Sequence, residues 1–111
     1  MGWTERKSIF GPPIGVRGVP VAKLAEEEIA RRLAEVPAWT RAGDAIERAW
    51  KFKDFLEAMA WINRVAELAE AANHHPDIWN SWNRVKLTLT THDTGGLTNR
   101  DFNMAKKIDA L

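Results

Sequence analysis

The 111-residue chain has the size of one domain, long enough to bury a core and too short for two. Sixteen Lys plus Arg against fifteen Asp plus Glu leave a net charge of +1, so the chain has neither the strong positive field that draws nucleic acid nor an acidic tail. The absence of cysteine excludes disulfides, thiolate nucleophiles and Cys-based zinc sites together.

Met1 to Phe10 interleaves Glu5, Arg6 and Lys7 with apolar residues and reads as no signal peptide. No apolar run approaches the roughly 18 residues of a membrane span, so a soluble, cytoplasmic protein without membrane contact is expected. Gly11 to Pro20 holds six Gly or Pro in ten residues, which excludes regular helix and central strand. Residues 1–20 are therefore predicted to form an arm. Two readings stay open for it: disorder, or a strap laid along a neighbouring subunit through Trp3, Ile9 and Phe10. The domain proper is predicted over residues 21–111.

Val21 to Val36 places Leu24, Ile29, Leu33 and Val36 on one face between charged residues, the pattern of an amphipathic helix that Pro37 terminates. After Trp39 and a turn at Ala42-Gly43-Asp44, residues Ile46, Arg48, Trp50 and Phe52 alternate with Ala45, Glu47, Ala49 and Lys51, the period of a strand. The short spacing predicts a hairpin turned at Gly43. Asp54, with Glu57 three residues on, predicts a capped helix running to about Ala72, its apolar face carrying Phe55, Ala58, Met59, Ile62, Ala66 and Ala69. Pro76 pushes His75 out of helical conformation, so this helix ends by Asn73. A short extended piece around Ile78 to Trp82 follows. Arg84 to His92 then alternates as a strand, with Val85, Leu87, Leu89 and Thr91 facing one way and Thr88, Thr90 and His92 the polar way. Thr98 and Asp101 start a last helix whose apolar face is Phe102, Ala105 and Ile108. The order α-β-β-α-β-β-α predicts an α+β two-layer fold, a four-stranded antiparallel sheet with three helices on one face and the other free for a ligand or subunit.

All three histidines, His74, His75 and His92, fall in two short segments. Imidazole exchanges protons near neutral pH, so this concentration points to acid–base chemistry. His74 and His75 can converge on one ligand because a helix end and Pro76 make their backbone irregular, and Glu70, one helical turn earlier, can orient an imidazole. The site so predicted lies on the uncovered side of the sheet. The plainer alternative is that His-His-Pro caps a helix and His92 decorates a turn. Zinc is disfavoured because adjacent histidines rarely share one tetrahedral ion and no HExxH is present. Trp79 and Trp82 are read either as the wall of an aromatic pocket or as core or subunit-interface packing. Gly95-Gly96 lies in no nucleotide-binding motif, and no Ser has a nucleophile setting.

The pattern Glu70-x3-His74-His75-Pro76-x5-Trp82-x9-His92-x8-Asp101 resembles the signature of the pterin-4a-carbinolamine dehydratases, as do the segments Phe52 to Phe55, Asn63 to Ala66 and Leu89 to Thr98. The resemblance runs from about Val21 to Leu111. It implies a lyase of tetrahydrobiopterin metabolism that removes water from a 4a-hydroxytetrahydropterin to give the quinonoid dihydropterin, without metal or cofactor. A homodimer or homotetramer with no direct nucleic-acid contact is implied as well. By matching positions, His74, His75 and His92 are the acid/base set. Asn73, Thr90, Thr91 and Asp93 join them in contacting the pterin, with Glu70, Trp82 and Asp101 in support. Asn73 stands where some relatives carry an acid. Other members implied by the resemblance are binding proteins: dimerisation cofactors of a transcription factor and Rubisco assembly factors.

Overall fold

A computed structural model describes residues 22–111; the arm predicted for residues 1–20 lies outside them. The order is α1 (Glu26–Glu35), β1 (Thr40–Ala42), β2 (Ala45–Lys51), α2 (Phe55–Ala72), β3 (Asp77–Ser81), β4 (Arg84–Leu89), one short 3-10 turn (His92–Thr94) and α3 (Asn99–Asp109). The strands form a single antiparallel sheet in the order β1-β2-β4-β3. Gly43, with φ of 63°, takes the left-handed conformation that the β1–β2 turn needs and that a side chain would oppose.

Alternation along the strands decides which face is covered. Ile46 of β2 and Val85, Leu87 and Leu89 of β4 are fully buried, and against them pack Ile29 of α1, Ala58 and Val65 of α2, and Phe102, Met104, Ala105 and Ile108 of α3. Alternate residues Ala49, Trp79, Arg84 and Lys86 stay exposed on the opposite face. The predicted two-layer arrangement is therefore the observed one. At the edge of the core Trp39 meets Trp50 edge-on, with ring centroids 5.7 Å apart, and Trp50 meets Trp61 at a tilt, 4.5 Å apart. The indole N–H of Trp39 donates to Asp109 at 2.9 Å, giving this partly polar side chain a partner at the end of α3.

Three expectations are corrected. Helix α1 starts at Glu26, not Val21; no side chain caps it, and the Leu24 N–H is instead donated to the Leu97 carbonyl. Three consecutive glutamates begin it, where the positive end of the helix dipole favours them. The buried stripe of α2 is rotated from the predicted one: Ala58, Val65 and Ala69 are buried and Trp61, Ile62 and Leu68 half-buried, while Phe55 and Ala66 are exposed. The bulkier Trp61, Val65 and Leu68 set the face that meets the sheet. Strand β4 stops at Leu89, not His92, because pairing with β2 ends at Ile46 and with β3 at Asp77. Beyond that point, among the described residues, only Thr91 pairs, with Gly96.

Among the described residues, no helix is long and apolar enough to cross a membrane.

Candidate active site

Each side chain of the candidate site is aimed by a helix or strand end. Asp54 caps α2, accepting the Glu57 N–H at 2.8 Å; Glu57 reaches back to the Lys53 N–H at 2.6 Å, one residue earlier than a regular capping box. At its other end α2 closes on Asn73, in left-handed conformation with φ of 50° and ψ of 44°. Asn is one of the few side chains that tolerate this region. The reversal sends the next two residues in different directions. His74 turns inward and is buried, while His75 stays exposed.

His74 meets a buried polar network. Its Nε2 lies 2.6 Å from Asp101 Oδ1. The other carboxylate oxygen of Asp101 accepts from the Thr91 hydroxyl at 2.9 Å and from the Thr98 N–H at 3.0 Å. Thr91 and Thr98 share a further hydrogen bond at 2.8 Å. The Thr98–Asp101 pair is also the capping box of α3, so the start predicted for this helix is the one observed. Asp101 thus meets the His74 ring with one oxygen and the two threonines with the other. A buried carboxylate is stable only when its lone pairs are met in this way.

His75 and His92 have different surroundings. His75 Nε2 lies 2.5 Å from Glu70 Oε2, one helical turn back on α2, and both side chains face solvent. His92 begins the 3-10 turn that Gly95 closes with φ of 72°. It is exposed as predicted, but on that turn and not on the polar face of a strand, and its ring has no hydrogen bond among the described residues.

A cleft of about 200 Å³ brings the pieces together, lined by Asn73, His74, His75, Thr90, Thr91, His92, Asp93 and Arg100. It sits where α2 ends, β4 ends and α3 begins, not on the uncovered side of the sheet as predicted. The hydroxyl of Thr90 is donated to the Asp44 carbonyl at 2.6 Å, which fixes the chain entering the turn. Glu70 and Asp101 reach the cleft through their histidines.

Trp82 is not brought to it. That residue occupies the turn joining β3 to β4, at the opposite end of those strands, 65% exposed and with φ of 52°. Trp79, the other possible aromatic wall, lies on the open sheet face. A larger concavity of about 460 Å³ is found there, lined by Trp79, Arg84 and Lys86 among others. It offers cations and aromatic surface, and no imidazole or carboxylate is among its lining residues.

The residue the sequence reading missed is Arg100. Its Nη2 donates to the Asn73 carbonyl at 2.7 Å, tying the first turn of α3 to the end of α2 across the cleft wall. No local signal in the sequence marks it, because its partner is the backbone of a residue 27 positions away. Among the described residues, no group of three or more His, Asp or Glu is arranged to hold a metal ion.

The chain matches known proteins over this whole region. The family model described as pterin 4 alpha carbinolamine dehydratase covers residues 22–111. A protein of Thermomicrobium roseum named "Putative pterin-4-alpha-carbinolamine dehydratase" is 55% identical over 91 residues, 82% of this chain and 98% of that one. A protein of Acidobacterium capsulatum with the same name is 53% identical over 91 residues, 82% of this chain and 99% of that one. Among solved structures, a transcriptional coactivator/pterin dehydratase from Brucella melitensis superposes with a TM-score of 0.76 at 39% identity, covering 79% of this chain and 96% of that one. A pterin dehydratase-like protein identified as a RuBisCO assembly factor in the alpha-carboxysome has a TM-score of 0.56 at 22% identity, covering 66% of this chain and 87% of that one, and shows the shared fold alone. With a matching architecture and with relatives more than half identical along nearly their whole length, the chain belongs to the pterin 4 alpha carbinolamine dehydratase family.

Proposed function

We propose that this protein is an active dehydratase, removing water from a 4a-hydroxytetrahydropterin by general acid–base catalysis with His74, His75 and His92. The observation that carries the reading is that one cleft is lined by all three imidazoles, each in a different environment. In the reaction the C4a–O bond breaks as the leaving oxygen takes a proton, and N5 gives up its proton as the N5–C4a double bond forms. One face of the substrate needs a donor and the other an acceptor. His74, held by Asp101 at 2.6 Å, keeps its geometry fixed. His75 and His92 face solvent and can exchange protons with water between turnovers. Asn73, Thr90, Thr91 and Asp93, at the cleft wall, supply polar contacts for the pterin ring. The pairing of His75 with Glu70 orients that ring. The family's chemistry asks for no metal or cofactor, and the protein acts in the cytoplasm as a homo-oligomer.

The test is the rate at which the purified protein dehydrates a freshly generated 4a-hydroxytetrahydropterin. Positioned proton transfer typically contributes about 10² to 10⁴ in rate, so His75→Ala combined with His92→Ala should lower turnover by that order. Unchanged turnover in the double variant removes these residues from the mechanism.

The competing reading is a binding protein without activity. The likeness to the RuBisCO assembly factor, at 22% identity, concerns the fold and not the site, so it does not decide for that reading. The intact histidine trio favours catalysis.

A further inference from the structure

The cleft adjoins a second cavity. About 240 Å³ in volume, it is lined by Ala72, His74, Arg100, Asn103, Met104 and Lys107. His74 and Arg100 belong to both cavities, so a ligand seated against the histidines can extend into the second one. The room matters, because the first cleft is smaller than the roughly 300–1,000 Å³ usual for a small-molecule site and encloses only part of a substituted bicyclic ring.

The second cavity has a distinct chemistry. Arg100, Asn103 and Lys107 recur at steps of three and four along α3 and so share one face of it. Arg100 is anchored by one hydrogen bond to the Asn73 carbonyl, and among the described residues its other guanidinium N–H donors have no partner. Among the described residues neither Arg100 nor Lys107 pairs with a carboxylate, whereas the neighbouring Lys106 is held by Glu35 at 2.6 Å. Two uncompensated cations and an amide around one hollow match a dianion better than a neutral hydroxyl. Guanidinium in particular suits phosphate oxygens, which its fork can meet in pairs.

We propose that this second cavity is an anion subsite that receives a phosphate ester on the side chain of the pterin, making the preferred substrate a phosphorylated 4a-hydroxytetrahydropterin. The proposal rests on the dehydratase reading for its substrate, and its test separates the two. Specificity constants are compared for two 4a-hydroxytetrahydropterins that differ only in a phosphate ester on the C6 side chain. The phosphorylated one should be preferred about tenfold, and Lys107→Gln should lower that ratio about fivefold, the size of one ion contact made near water. Lys106→Gln removes the same charge one residue away and should leave the ratio alone. Equal specificity constants in the unaltered protein, or equal losses in the two variants, overturn the subsite. If neither compound is turned over, the dehydratase reading fails on its own. The same ratio is then read as equilibrium binding of the two oxidised pterins, followed by quenching of their fluorescence. Equal affinities there overturn the subsite as well.

Discussion

His74 and His75 are neighbours in sequence and opposites in setting. The first is buried and wired through Asp101 to Thr91 and Thr98, while the second stands in solvent with an exposed glutamate. The difference teaches that identical side chains one residue apart answer to different free energies. A buried imidazole and carboxylate are strong determinants of stability because either one left alone has no water to turn to. An exposed ion pair contributes little, since water replaces each partner. One histidine belongs as much to the core as to the cleft, and the other belongs to the cleft alone.

The most direct way to break this contrast is Asp101→Ala. It leaves the His74 ring, the Thr91 hydroxyl and the Thr98 N–H unmatched in the interior. About 3 kcal/mol of stability should be lost, and the thermal midpoint should fall by about 10–20 °C. His75→Ala should change unfolding stability by no more than about 0.5 kcal/mol. Equal losses in urea titrations of the two variants would show that the buried network is not what distinguishes the sites.

The hinge just ahead of the two histidines, Asn73, sharpens the comparison. Asn73→Ala forces a side chain without Asn's local hydrogen bonding into left-handed backbone and should cost about 1 kcal/mol. Asn73→Gly, free of that strain, should stay within about 0.5 kcal/mol of the parent. If Asn73→Gly also keeps the dehydration rate, the residue serves through its backbone and not as a pterin contact.

The smallest expected effect lies outside both settings. The Arg41 guanidinium, hydrogen-bonded to Glu26, holds that carboxyl below the usual carboxylate range. A carboxyl lowered by folding adds stability above its unfolded pKa and loses it as pH falls through the folded value. Glu26→Gln should therefore lower the midpoint slightly at neutral pH, with the difference vanishing in acid. Both groups meet solvent, so the shift should lie near the limit of detection, and a large one would refute the screening assumed for exposed pairs.

Much of this was legible in the chain. Alternation at Val85, Leu87, Leu89 and Thr91 foretold their burial, because a strand's period of two survives any packing. Thr98 and Asp101 announced the capping box of α3, a local device needing no tertiary context. What escaped depended on partners far along the sequence. The rotation of the α2 stripe is set by which bulky side chain meets the sheet, and β4 ends where its neighbours run out. Trp82 matched a motif position, yet the two strands it joins carry it away from the cleft. Arg100 carries no periodic or motif signal and becomes visible only when α3 is docked against the end of α2.

One carboxylate, that of Asp101, both starts α3 and grips His74. The imidazole cannot outlast the first turn of that helix: whenever the turn frays, the ring is let go, even while the sheet and the rest of the core stand. Heat should thus silence the cleft before it melts the protein, so the interval between loss of catalysis and loss of ellipticity measures how tightly a single helix end is fastened.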